Sequence, residues 1–300
     1  MKKKTYLFAL MAMALTLGSC SDNENGIGGE TSKYITVSTS IGNMTRVATD
    51  EKGGQTFEEG DEISVYAWTG DATVAPETRE RVVNNAINKL TNGSWVSTPQ
   101  MLWKNNRDKH YFIGVYPISA ISDLSAGEYT FDETKQVESD LLVAVNKDGL
   151  SYNVDEQQPV PLTFTHVMAK LVVNLTYKNQ WGGIPTVEKV VVGNAAKEAT
   201  INYLTKVVTP STTAKEDFSL PEITENTKYV SVIIPQEDVK QLTIVIGGKN
   251  FVYDNGTPFK LESGKITTVN LEVGRDEIKL GDVKITDWVN GSTFSGEALN

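Results

Sequence analysis

The chain has 300 residues, 39% of them hydrophobic, with 28 basic and 38 acidic residues and a net charge of −10. That charge excludes a nucleic-acid-binding protein and an electrostatic hold on anionic lipid. A single cysteine, Cys20, excludes an internal disulfide, so the fold rests on its apolar core.

Residues 1–19 read as a secretory signal. Lys2, Lys3 and Lys4 give a basic head, and an apolar run follows from Tyr6 to Leu17. The run is short of the roughly 18–20 residues that a membrane-spanning helix needs. Leu17-Gly18-Ser19-Cys20 places a small pair directly before the cysteine, the pattern of a lipoprotein signal. An ordinary signal that happens to end near a cysteine is the competing reading, and the absence of any other cysteine weighs against it. Removal of the signal leaves 25 basic against 38 acidic residues, a net of −13. The expected membrane link is therefore covalent, through acyl chains on Cys20.

Residues 20–33 are polar, acidic and Gly-rich, and read as a flexible tether. Ile35, Val37, Thr39 and Ile41 then alternate with Thr36, Ser38 and Ser40, which predicts a half-buried strand. Behind it a polar stretch carries Arg46-Val47. A lone Arg in an exposed loop is either a cut site for a trypsin-like protease or a solvated side chain, and the second is commoner.

From Phe57 onward strand follows strand. Glu59-Gly60-Asp61 is a turn leading into Ile63–Trp68. Val83, Ala86, Ile87 and Leu90 have helical spacing, but the Asn92-Gly93 hairpin signal and Trp95 follow at once, and we read a strand. Trp103 begins another segment. Tyr111–Tyr116 is a buried strand stopped by Pro117, and Tyr129–Phe131 and Leu141–Val145 follow. Asp148-Gly149 predicts a tight turn. Pro159 and Pro161 suggest an extended connector, placing a boundary between 34–160 and 161–300. Further strands are expected over Leu171–Tyr177, Val187–Val192, Val230–Ile234, Leu242–Ile246, Phe251–Tyr253, Ile266–Val273 and Val283–Trp288, with Asn255-Gly256 as a tight turn. Strands without alternating helices argue against a parallel sheet and for an all-β protein of two sandwiches.

Side-chain chemistry gives no case for an enzyme. His110 and His166 lie far apart without metal-ligand spacing, and His166 reads as a packed or hydrogen-bonded residue at a strand start. There is no G-x-S-x-G and no P-loop. Asp50, Glu51, Glu58, Glu59, Asp61 and Glu62 lack the order of a calcium loop and read as a solvated acidic face. We expect no catalytic residues, no metal and no cofactor. The five tryptophans could form a glycan platform, which keeps open a second reading as a monomeric glycan-binding surface lipoprotein. Core and edge positions are the commoner use of such side chains.

Several pieces in fixed order carry a resemblance. They are Leu17–Cys20, Ile35–Ile41, Thr45-Arg46, Glu59-Gly60-Asp61-Glu62-Ile63, Trp103 before Tyr111–Pro117, Phe164–Leu171, Gly264-Lys265 before Ile266–Val273, and Ile285-Thr286-Asp287-Trp288. In that order the chain resembles the fimbrillin family, subunits of lipoprotein-derived pili in Bacteroides-type bacteria. The resemblance implies two transthyretin-like β-sandwiches in tandem. It implies an outer-membrane lipoprotein precursor held by Cys20, then cut between Arg46 and Val47 by an arginine-specific protease. The tether and first strand would leave the N-terminal sandwich, and a C-terminal segment of the next pilus subunit, within 278–300 here, would fill the gap. The destination would be a cell-surface pilus, with a host or bacterial ligand if the subunit sits at the tip. Gly291–Asn300 is a poor strand by composition and departs from a donor's pattern.

Overall fold

A computed structural model describes residues 33–42, 57–153 and 158–288. Cys20, Arg46 and Val47 lie outside them. The described chain is all-β. In order the strands are β1 (Val37–Ile41), β2 (Glu62–Thr69), β3 (Arg81–Thr91), β4 (Ser94–Thr98), β5 (His110–Tyr116), β6 (Gly127–Thr130), β7 (Leu142–Leu150), β8 (Val160–His166) and β9 (Ala169–Tyr177). Then come β10 (Val187–Ala196), β11 (Glu198–Asn202), β12 (Val207–Pro210), β13 (Lys215–Leu220) and β14 (Glu222–Thr224). The last are β15 (Lys228–Ile233), β16 (Gln236–Ile246), β17 (Lys249–Leu261), β18 (Lys265–Val273) and β19 (Ile278–Asp287). Only two single-turn 3-10 helices interrupt them among the described residues, Thr78–Glu80 and Asn179–Trp181.

Four sheets result. The largest has the order β1-β8-β7-β5-β2-β3-β4. The others run β13-β10-β16-β17, β12-β11-β6 and β14-β15-β9-β18-β19. Most neighbours are antiparallel, as short connections require. Two are parallel, β1 with β8 and β9 with β18, and each of these joins strands far apart in the chain. The segment between β5 and β7 leaves the large sheet to supply β6, which pairs with β11.

The segment with helical spacing, 83–90, lies within strand β3, and Asn92 and Gly93 both take positive φ in the hairpin to β4. Two expected turns are strand interior instead. Gly149 has φ 69° inside β7, where the register against β5 shifts, and the Tyr111 ring lies where a Cβ would be. Gly256 has φ 69° inside β17, beside a register break against β16. In both places the left-handed glycine makes a bulge and the chain does not reverse. Pro161 also lies within a strand, β8. There β8 pairs only with β1, and the β7 register begins at Phe164, so the missing amide breaks no ladder bond.

The large sheet is apolar on both faces. Tyr66, Trp68, Ile113, Val115 and Val143 join a core shared with β9, β10, β16 and β18. Ile63, Val65, Ala67, Phe112, Ala144, Leu162 and Phe164 face a second core, to which β1 contributes. Gly114 is bare because a Cβ there would sit 2.6 Å from the Phe164 ring.

Candidate functional site

The strand β1 forms one edge of the seven-stranded sheet. Its alternation in sequence is an alternation in burial: Ile35, Val37 and Ile41 are 2%, 6% and 8% exposed, whereas Thr36, Ser38 and Ser40 face solvent. It lies at the sheet's edge, parallel to β8, with Val37 opposite Val160 and Ile41 opposite Phe164. The Val160 amide donates to the Thr36 carbonyl at 2.8 Å, and the Gly42 amide donates to that of Phe164 at 3.0 Å. Burying three aliphatic side chains contributes roughly 5–9 kcal/mol.

The other side of β1 meets the far end of the same sheet. The Ile35 amide donates to the Met101 carbonyl at 2.9 Å, and the Trp103 amide donates to Lys33 at 3.1 Å. The Trp95 indole N–H, on edge strand β4, donates to Thr39 Oγ1 at 3.0 Å. The two edge strands of the sheet, β1 and β4, are therefore within hydrogen-bond reach of each other. Phe57, the first described residue after Gly42, meets Trp95, Tyr116 and Phe164 edge-on at 5.1–5.4 Å. The contacts of Phe57, Trp95 and Met101 with this site are not legible in the sequence. The only hint is Thr39, a polar residue on the inward face of an aliphatic strand.

At the other end of the chain, β19 is also an edge strand. It runs antiparallel to β18 from Ile278–Val273 to Asp287–Lys265, and most of its residues are exposed. Trp288 closes it. The Trp288 ring is buried and stacks on His166 at 4.0 Å and 7°, and its amide donates to the Gly264 carbonyl. His166 Nδ1 lies 2.8 Å from Asp140 Oδ1, so this histidine is packed and hydrogen-bonded. Lys170 Nζ sits 5.2 Å over the Trp288 ring. Burial pushes the Lys170 ammonium down to about 8, partly countered by the Asp140 carboxylate.

Asp50 and Glu51 lie outside the described residues, and the candidates inside them have structural partners. His110 is buried between the Asp108 carbonyl and the Lys104 amide, and burial lowers its pKa. Asp61 accepts the Glu58 amide, Glu59 accepts that of Asn92, and Glu62 pairs with Lys89. The tryptophans form no exposed row: Trp68 and Trp288 are buried, and Trp95, Trp103 and Trp181 are half-buried.

The fimbrillin-like family profile matches residues 45–288. A candidate fimbrium subunit of Bacteroides uniformis, Fim1C, is 25% identical over 324 residues, covering 99% of this chain and all of that protein. Two solved structures share the fold. A candidate cell adhesion protein from Bacteroides ovatus has a TM-score of 0.65 and 18% identity, covering 85% of this chain and 98% of that one. Another from Bacteroides uniformis has a TM-score of 0.62 and 19% identity at the same coverages. With a match across most of its length, the chain belongs to the fimbrillin-like family.

Proposed function

We propose that this chain is a subunit of a cell-surface pilus, exported as a lipoprotein precursor on Cys20 and assembled by strand exchange after cleavage between Arg46 and Val47. The observation that carries the reading is β1 itself. It is an edge strand, held by one parallel neighbour and a short strap, that fills an apolar groove and ends five residues before Arg46. Cleavage there frees β1 from the rest of the chain without cutting any other described strand. The vacated groove then exposes apolar surface and unpaired backbone, and a strand from a neighbouring subunit relieves both.

The division into an N-terminal sandwich over 34–160 with a removable first strand and a C-terminal one over 161–300 belongs to the same proposal. A donor drawn from 278–300 that includes β19 has to leave β18 and unstack Trp288 from His166. A subunit that keeps β19 in place accepts a strand and caps a fibre. The fibrillar role requires no catalytic residue.

N-terminal sequencing of surface-extracted material tests the proposal. The expected first residue is Val47, in species that run as a detergent-resistant ladder until heated. Recovery of only intact, lipidated Cys20 chains as monomers would overturn it.

A further inference from the structure

Resting on the strand-exchange reading, we infer that Trp95 reads one position of whatever strand fills the groove. The occupant is an extended segment with apolar side chains at its first, third and seventh places and a hydrogen-bond-accepting oxygen at its fifth.

The places are those of Ile35, Val37, Thr39 and Ile41. Three of them are buried aliphatics, and Thr39 is the polar exception on that face. Its hydroxyl accepts the Trp95 indole N–H at 3.0 Å. An indole nitrogen can only donate. The ring is held from two sides: Trp95 sits opposite Leu90 in the β3–β4 hairpin, and Phe57 meets it edge-on at 5.3 Å and 82°. Because Phe57 and Trp95 both follow Arg46 in the chain, they stay behind when β1 leaves. In the empty groove the indole N–H is met by water. An occupant with an aliphatic side chain at the fifth place displaces that water and offers nothing in return, which leaves a donor covered and unpaired.

Backbone pairing fixes which residue arrives at that place. An occupant lies parallel to β8 along one edge and antiparallel to Met101–Trp103 at its leading end, so direction and register are both set. Packing alone specifies shape. The indole adds a chemical requirement that a purely aliphatic strand of the right size does not meet. Within residues 278–300, Val283-Lys284-Ile285-Thr286-Asp287-Trp288-Val289 carries the pattern, with Asp287 at the fifth place. A second copy of this chain is therefore an occupant of suitable chemistry.

The test uses the full chain cut at Arg46 with an arginine-specific protease in the presence of fluorescent synthetic peptides. One peptide has the sequence of Ile35–Ile41, the second carries Thr39→Val, which keeps the shape and removes the oxygen, and the third carries Thr39→Asn. Retention is read by anisotropy during competition with unlabelled peptide. The Thr39→Val peptide is expected to bind roughly tenfold more weakly than the native one, with Thr39→Asn restoring most of the loss. In the Trp95→Phe protein the preference is expected to fall below about twofold. The comparison on the unaltered protein decides the matter even if Trp95→Phe does not fold. Equal retention of the native and Thr39→Val peptides overturns the inference and leaves strand exchange standing. Retention of none of them overturns strand exchange, and the inference with it.

Discussion

At the scale of single residues, Lys170 is a lysine taken largely out of water. It is buried, it faces the Trp288 ring, and its folded pKa is lowered to about 8 from an ordinary 10.5. A lysine depressed in this way penalises the folded state while protonated. The penalty is full below about pH 8 and is relieved as pH rises towards 10.5. The shift corresponds to roughly 3 kcal/mol. Stability measured by urea unfolding should therefore rise from pH 8 to pH 10, and Lys170→Met should flatten that rise. Above pH 10 the trend reverses, because burial holds the phenols of Tyr116 and Tyr177 protonated up to about 12 in the folded state, and the unfolded chain gives up those protons first. Little of this environment is legible in the sequence. His166 reads correctly as a packed residue at a strand start, but its partners Asp140 and Trp288 lie 26 and more than a hundred residues away. Only the fold brings them together.

At the scale of elements, legibility follows periodicity. The first strand was readable because Ile35, Val37 and Ile41 alternate with short polar residues, and those three are the buried ones. The strands β2, β5, β9 and β18 were readable for similar reasons, since each is rich in β-branched or aromatic residues. The four short strands β11–β14, over residues 198–224, carry Thr, Lys and Glu with few aliphatics and give no signal. The pairs Asp148-Gly149 and Asn255-Gly256 misled because a left-handed glycine serves a hairpin turn and a bulge equally well. The partner strand decides between them. For β1 the alternation carries a quantitative expectation. Ile35→Ala and Ile41→Ala should each lower unfolding stability by about 2–4 kcal/mol, whereas Ser38→Ala on the outward face should change it by less than about 0.5 kcal/mol. Equal effects on the two faces would mean that the strand is not seated as described.

At the scale of the whole molecule, the large sheet ties the chain together. One of its faces packs on the core shared with the later strands, and the segment between β5 and β7 crosses over to pair with β11. The Pro159 and Pro161 stretch suggests where the proposed sandwiches meet. The shared core and the crossing strand could not be read from the sequence, since both depend on contacts between residues far apart. This arrangement should make unfolding a single cooperative event. Urea transitions followed by far-ultraviolet circular dichroism, and by fluorescence in variants that keep only Trp68 or only Trp181, should coincide. Two separated midpoints would show that the halves open independently.

The parallel union of β1 with β8 spans 123 positions between Ser40 and Thr163. A polypeptide emerges amino end first, so this leading segment waits, through the synthesis of everything between, for its dock to exist. Closure of so long a loop comes late. Each newly made molecule thus passes through its youth with the berth vacant. The vacancy that the proposed cleavage calls for is thus a condition that the chain meets first while it folds.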